Sequence, residues 1–313
     1  MESRFLSAIT TVLLTWVPVA HAGDVRDFVT SAIVNPSAYY PEGPQIVDDG
    51  LLVAEMPKDR IVLLKAGEVK PVWSAPGCGP TSIKKIPAGG YWVLCHLGHY
   101  VAKLDDNFRV LRTFQQTAAG RRISWPNDAS VDSRGNLYLS SSGVFSHQAP
   151  AEGRVIFIDI VKDIASDVVG GLRYANGVLV QEGRRRVLVS EHLGRRMLAY
   201  PLLGAGQFGQ PSVFFDFKDS PQVKDSYEQS GPDGIAAFSN GDICVADYGN
   251  GRVLVLSAKG KFLTQIPLRY RFVTNMAITN DQHSIFIVMT QSNMSSDLHG
   301  VVERFSILTR RKS

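Results

Sequence analysis

"DGIAAFSNGDICVADYGNGRVLVLS", residues 233–257, contains three short apolar runs separated by turns rich in Gly, Asn and Asp. "NDASVDSRGNLYLSS", residues 127–141, followed by "GRVIFID" at 153–159, repeats the same order. Each copy begins with a polar residue, turns at "NGD" or "RGN", and continues as further apolar runs. Short apolar runs bounded by such turns are typical of consecutive β-strands.

Four weaker copies of this unit occur, so that the six copies begin at residues 42, 82, 127, 176, 233 and 275. The intervals are 40, 45, 49, 57 and 42 residues, which suit a propeller blade of four strands. A β-sandwich would not restart one pattern six times, and a parallel α/β fold needs helical crossovers that the pattern lacks. The sequence therefore predicts an all-β fold, a six-bladed β-propeller of four-stranded antiparallel blades, as one domain over residues 23–313.

Residues 1–22 differ from the rest of the chain. Arg4 precedes an apolar stretch at 5–20, and "AHA" at 20–22 has the small–x–small form of a signal-peptidase site. The apolar stretch contains Pro18 and is shorter than the ~20 residues of a spanning helix. We expect a cleaved signal peptide over residues 1–22, a periplasmic or extracellular protein, and no membrane span in the mature chain.

The charge balance argues against a nucleic-acid partner. The chain has 33 basic and 29 acidic residues, a net charge of +4, and its basic clusters are scattered among turns. Such clusters are typical of solvated loops. We expect a monomer whose partner is a small molecule.

Three cysteines are an odd number for an oxidising compartment. Cys95 and Cys244 lie in strand-like runs, where a buried free thiol is the simplest interpretation. Cys78 lies in a loop and is a possible partner for Cys95, but spacing alone does not decide whether that disulfide forms.

Four of the copies place a carboxylate or carboxamide residue directly before the first apolar strand: Glu42, Asn127, Asn176 and Asp233. In a propeller the first strand of each blade lines the central channel, so equivalent positions meet at the axis. Their oxygens form a set that suits one divalent cation, Ca²⁺ first, with Mg²⁺, Mn²⁺ or Zn²⁺ as alternatives. The cation would also relieve the repulsion between two carboxylates in a dry channel. An Asx turn explains any one of the Asn and Asp residues, but the recurrence favours the metal site.

The chain resembles the senescence marker protein, gluconolactonase and luciferin-regenerating enzyme family of six-bladed propellers. The resemblance rests on "PEGP" (41–44), "PNDASVDSRGNLYLSS" (126–141), "ANGV" (175–178) and "PDGIAAFSNGDICVADYGNGRV" (232–253). It implies a metal-dependent lactonase in which Glu42, Asn176 and Asp233 bind the metal. It also implies that Asp233 is the general base towards water, and that Asn127 faces the substrate.

Two positions depart from the family pattern. Trp125 stands where sugar-lactone-hydrolysing members have an Arg, and Phe145 aligns near a substrate-facing Glu. If both residues contact the substrate, the resemblance implies a lactone or ester less polar than gluconolactone. The alternative for Trp125 is packing within the rim.

Two other functions are compatible with a six-bladed propeller. A condensing enzyme similar to strictosidine synthase would use a catalytic Glu without a metal, and a binding propeller of the NHL type lacks acidic residues at the channel mouth. The combination of Glu42, Asn176 and Asp233 argues against both, and the metal content of the protein would distinguish the metal-dependent hydrolase from these two.

Overall fold

The structure, a computed structural model, describes residues 25–294 and 298–310. Within these residues the chain forms six antiparallel sheets arranged as a β-propeller, which confirms the predicted fold. The predicted signal peptide, residues 1–22, lies outside the described residues. No helix in the described part is long and apolar enough to span a bilayer.

The strands in chain order are β1 (Val25–Tyr39), β2 (Pro41–Val47), β3 (Gly50–Glu55), β4 (Arg60–Lys65), β5 (Glu68–Ser74), β6 (Pro80–Lys85), β7 (Tyr91–Cys95), β8 (Tyr100–Leu104), β9 (Val110–Phe114), β10 (Pro126–Val131), β11 (Leu137–Ser141), β12 (Gly153–Asp159), β13 (Ile164–Leu172), β14 (Ala175–Gln181), β15 (Arg186–Glu191), β16 (Arg196–Gly204), β17 (Gln207–Phe208), β18 (Ser212–Asp216), β19 (Gly231–Ala237), β20 (Ile243–Tyr248), β21 (Arg252–Leu256), β22 (Phe262–Pro267), β23 (Phe272–Ile278), β24 (Ser284–Thr290) and β25 (His299–Arg310). Short 3₁₀ helices cover Met56–Lys58, Glu182–Arg184 and Phe217–Asp219.

Each blade is one sheet, and in blades 1 to 5 the innermost strand comes first in the chain. Blades 1, 2, 3 and 5 are β2–β5, β6–β9, β10–β13 and β19–β22. Blade 4 contains β14, β15, β16 and β18, with the two-residue β17 also paired to β16. Blade 6 contains β23, β24 and β25, and β1 is its outermost strand.

The two ends of the described chain close the ring. β1 pairs antiparallel with β25, with Phe28 opposite Ile307 and Tyr39 opposite His299. The sixth blade therefore combines strands from both ends, and backbone hydrogen bonds hold the propeller closed. The repeat pattern begins at Glu42 and did not predict this role for residues 25–39.

Apolar side chains fill each interface between neighbouring blades. In the interface of blades 2 and 3, Trp92, Leu137 and Ile156 are fully buried. The Trp92 indole N–H also donates to the Gly135 carbonyl at 3.1 Å, which links the two blades. Each such buried side chain contributes about 1.5–3 kcal/mol. This packing fixes where the innermost strands begin relative to one another.

Every innermost strand has a register shift near its beginning. In β14 the shift lies between Ala175 and Val178, and in β19 between Pro232 and Ile235. A bulge redirects side chains, and these bulges contain Asn176 and Asp233. The sequence pattern predicted that the polar residues lie directly before the strands. In the structure they are among the first residues of the strands.

Glycine follows three of the polar residues because neighbouring innermost strands approach closely there. A Cβ at Gly43 would lie 2.5 Å from the Cα of Ser82, and the backbone φ there is +44°. A Cβ at Gly177 would lie 2.3 Å from the carbonyl oxygen of Asp233. Absence of a side chain at these positions lets the strands carrying the polar residues converge.

Candidate active site

The first residues of the innermost strands surround a cavity of about 140 Å³ at the hub. A water molecule requires roughly 10–15 Å³ by this measure, so a small organic molecule fits. The described residues that line it are Tyr40, Glu42, Met56, Thr81, His96, Asn127, Phe145, Tyr174, Asn176, His192, Asp233 and Tyr248. The structure thus brings together all of the residues predicted to bind metal or substrate except Trp125.

Two buried carboxylates face this cavity. Burial raises the pKa of Glu42 well above its usual value, and the nearby Asp233 and Asp128 carboxylates raise it further. Burial also raises the pKa of Asp233, as does Asp128, while hydrogen bonds from Asn176 and the Gly234 N–H lower it. Ionising both acids without a counter-ion is therefore unfavourable. A bound cation, or a proton on one carboxylate, would remove the repulsion between them.

The Asn176 side chain fits a cation at this position. It is 3% exposed, and its Oδ1 is a buried acceptor without a hydrogen-bond partner among the described residues. Together with the Glu42 and Asp233 carboxylates, it forms a hard-oxygen set of the kind that binds Ca²⁺ or Mg²⁺. The described residues contain no cluster of three or more His, Cys, Asp and Glu side chains suited to a metal, so amide oxygen is needed to complete this set.

In blades 2 and 6 the residue at this position is a threonine, one residue before the starts at 82 and 275 that the repeat pattern indicated. The Thr81 hydroxyl donates to the Pro126 carbonyl at 3.2 Å, and the Thr274 hydroxyl donates to the Pro41 carbonyl at 2.7 Å. Each threonine thus holds the next blade's innermost strand one residue ahead of its polar side chain.

Aromatic residues with left-handed backbone precede three innermost strands. Tyr40, Trp125 and Tyr174 have φ values of 40°, 51° and 60°. Bulky residues rarely adopt this conformation, and such strain is concentrated at functional sites. Tyr40 and Tyr174 line the cavity. Neither tyrosine was predicted from the sequence, although each lies two residues ahead of a polar residue, at the spacing of Trp125 and Asn127.

In blades 1 and 4, a buried acid at the end of the blade's second strand accepts a backbone hydrogen bond from the segment that contains the tyrosine. Glu55 accepts the Tyr39 N–H at 3.2 Å and pairs with Arg60. Glu191 accepts the N–H of the residue before Tyr174 at 2.9 Å. Each acid therefore fixes the backbone directly ahead of a cavity-lining tyrosine.

In blade 2 a disulfide occupies the equivalent place. Cys95 ends β7 and is bonded to Cys78, with the two Cα atoms 4.5 Å apart. Cys78 directly precedes Gly79, whose backbone is also left-handed, with a φ of 51°. The prediction of a free thiol at Cys95 is wrong, because the loop containing Cys78 folds back over the end of β7; the free, buried thiol at Cys244 is confirmed.

Trp125 packs in the rim beside the cavity. Its ring lies edge-on to His99, with 4.2 Å between centroids, and its backbone N–H donates to His99 Nδ1 at 3.1 Å. The His96 ring is 5.4 Å away. β7 ends at Cys95, so both histidines lie in the following turn. There both rings contact Trp125. On a continuous strand, residues three apart would point to opposite faces. Substrate contact by Trp125 stays a prediction.

Phe145 does line the cavity. Its ring packs against Tyr174 and His192, with centroid distances of 4.8 and 5.3 Å. Its carbonyl accepts a hydrogen bond from Gln229 at 3.4 Å. The loop after β11 is thereby held against the segment that precedes β19.

A third buried acid, close to Glu42 and Asp233, was missed. Asp128 is 2% exposed, accepts a hydrogen bond from Ser82 at 3.2 Å, and forms an ion pair with Lys84 at 3.3 Å. The only hint in the sequence was an acid directly after Asn127, where the other three copies have glycine.

A six-bladed β-propeller with an acidic, aromatic-walled cavity at its hub is the class of protein that the fold and site define. Residues 40–291 match the family model described as "SMP-30/Gluconolactonase/LRE-like region", and the chain belongs to this family.

Similar proteins include a 6-deoxy-6-sulfogluconolactonase from Pseudomonas putida, 25% identical over 210 residues that cover 67% of this chain and 68% of that protein. A solved gluconolactonase from Xanthomonas campestris has a TM-score of 0.72 at 17% identity, covering 88% of this chain and 89% of that chain. The calcium-binding protein regucalcin from Agrobacterium tumefaciens has a TM-score of 0.69 at 15% identity, covering 90% of this chain and 96% of that chain. At such identities the two solved structures show a common fold.

Proposed function

We propose that the protein is a secreted, divalent-metal-dependent hydrolase of lactones whose substrate is a neutral lactone or ester less polar than gluconolactone. The observation that carries this proposal is the meeting of Glu42, Asn127, Asn176 and Asp233 in one cavity. Membership of the family and the names of the related lactonases support the reaction class.

Glu42, Asn176 and Asp233 would hold the cation, with Ca²⁺ first, as the likeness to a calcium-binding relative supports, and Mg²⁺, Mn²⁺ or Zn²⁺ as alternatives. When bound, the cation supplies Lewis-acid polarisation of the acyl carbonyl and stabilisation of negative charge. Asp233 takes a proton from the attacking water as general base. Asn127 orients the carbonyl from the cavity wall, which it shares with Tyr174.

The cavity wall favours a neutral substrate. None of the described residues lining it is Lys or Arg, whereas Tyr40, Phe145 and Tyr248 present aromatic rings. Burial lowers the pKa of His96 and His192 to about 4, so both rings are uncharged at neutral pH. An anionic substituent would be desolvated there without a protein cation as partner. We therefore expect sulfonated or carboxylated lactones to be poor substrates.

Secretion is supported by the Cys78–Cys95 disulfide, since disulfides persist in oxidising compartments. Together with the pattern of residues 1–22, it leads us to propose a periplasmic or extracellular location. Amino-terminal sequencing of protein recovered from the periplasm or medium is expected to begin near Gly23.

The test combines metal content with lactone hydrolysis. Elemental analysis after dialysis is expected to find one divalent cation per chain, and neutral lactones and esters are assayed with each candidate cation. Asp233→Asn is expected to lower kcat about 10²–10⁴-fold, the range for loss of a general base. The control is Glu182→Gln, an exposed acid beyond the far end of β14 that binds Ser133.

Full activity of Asp233→Asn would overturn the mechanism. Lactone hydrolysis without any metal would overturn the metal dependence, and a metal-free protein without hydrolysis would favour the two alternatives, a condensing enzyme or a binding propeller.

A further inference from the structure

Two tyrosines from distant parts of the chain meet at the cavity wall. Tyr40 directly precedes β2 in blade 1, and Tyr248 ends β20 in blade 5. Their hydroxyl oxygens are 3.2 Å apart, a hydrogen-bond distance, although the residues are 208 positions apart. Both side chains line the cavity that contains Glu42 and Asp233.

The structure holds both phenols in place. Tyr40 has a left-handed backbone with a φ of 40°, and Glu55 fixes the preceding N–H. Tyr248 is 4% exposed, and its ring packs against His192 and Phe272, with centroid distances of 5.4 and 5.1 Å. A strained backbone and close ring packing are expected where side-chain position matters more than local stability.

The pair has a hydrogen atom to offer a ligand. When two hydroxyls face each other, one donates and the other accepts, so the accepting hydroxyl keeps its own hydrogen for another partner. An unperturbed phenol has a pKa of about 10, so the hydroxyls carry their hydrogen atoms at neutral pH.

We propose that the Tyr40–Tyr248 hydroxyl pair is a substrate-binding element that donates a hydrogen bond to the acyl oxygen of a neutral lactone or ester. This inference rests on the proposed function. An acyl oxygen gains negative charge as water adds to the carbonyl carbon, so a fixed neutral donor binds the transition state more strongly than the substrate. The ring C–O bond then breaks, the proton taken by Asp233 passes to the leaving oxygen, and both tyrosines keep their protons.

The test uses Tyr40→Phe, Tyr248→Phe and the double variant, each of which removes only hydroxyl groups. Each single variant is expected to lower kcat about 10–100-fold and to raise KM up to about tenfold, because the donor binds the acyl oxygen in the substrate and more strongly in the transition state. Because the two hydroxyls act as one unit, the kcat of the double variant is expected to be no lower than that of the less active single variant. Bound metal stays at the wild-type level.

Tyr227→Phe is the matched control. The Tyr227 hydroxyl bonds to Gln229 and Asn293 and is not among the described residues lining the cavity. Its kcat is expected to stay within twofold of wild type.

A second measurement separates this inference from the proposed function. The probe is δ-valerolactam, a neutral cyclic amide that resists hydrolysis, and Tyr248→Phe is expected to weaken its binding about tenfold. Lactone hydrolysis with unchanged kcat and unchanged lactam affinity in both single variants would overturn the role of the pair and leave the proposed function intact. Weaker lactam binding in a protein that hydrolyses no lactone would support the pair and overturn the proposed function.

Discussion

The Cys78–Cys95 disulfide allows a prediction of stability. The two residues are 17 positions apart, and closing a loop of this length removes unfolded-state entropy worth about 3 kcal/mol. Both sulfur atoms also pack in the apolar interface of blades 1 and 2, where both cysteines are fully buried. Replacing each by alanine removes a buried group worth about 1 kcal/mol. Cys78→Ala/Cys95→Ala is therefore expected to lower the free energy of unfolding by about 5 kcal/mol.

Urea denaturation followed by circular dichroism measures this loss. Cys244→Ala is the control, because Cys244 is a fully buried free thiol whose removal breaks no cross-link. It is expected to cost about 1 kcal/mol. Twice the cost of Cys244→Ala is subtracted from the loss of unfolding free energy in the double variant. The remainder is the contribution of the cross-link. A remainder near zero would refute the reasoning and mean that the loop of Cys78 stays in place without the bond.

Two further predictions concern packing at the hub and in the core. Gly177→Ala is expected to lower kcat at least about 100-fold and to reduce bound metal, because its Cβ would lie 2.3 Å from the carbonyl oxygen of the proposed ligand Asp233. Gly183→Ala, where a Cβ meets no atom within 4 Å, is the control, and equal activity of the two variants would contradict the packing argument. Burial raises the pKa of Cys244 to about 12, so its thiol is protonated at pH 8 and is expected to react with iodoacetamide only after unfolding. Rapid labelling of the native protein, detected by mass spectrometry, would contradict that burial.

The sequence by itself determined the propeller and the position of its acidic hub. Each blade repeats one pattern, and the propeller places equivalent positions around one axis. Asn176 and Asp233 could therefore be assigned to a common site although 57 residues separate them. The family pattern gave these residues their expected roles, which stay predictions.

Only the tertiary structure decided contacts between positions that are not equivalent in the repeat. The pairing of Tyr40 with Tyr248 depends on a left-handed turn in one blade and on ring packing in another. The Cys78–Cys95 bond depends on a loop that folds over the end of β7. The closure by β1 joins distant segments without a shared sequence pattern. Periodicity records what the blades have in common, whereas these contacts arise where the blades differ, and only packing in three dimensions brings them together.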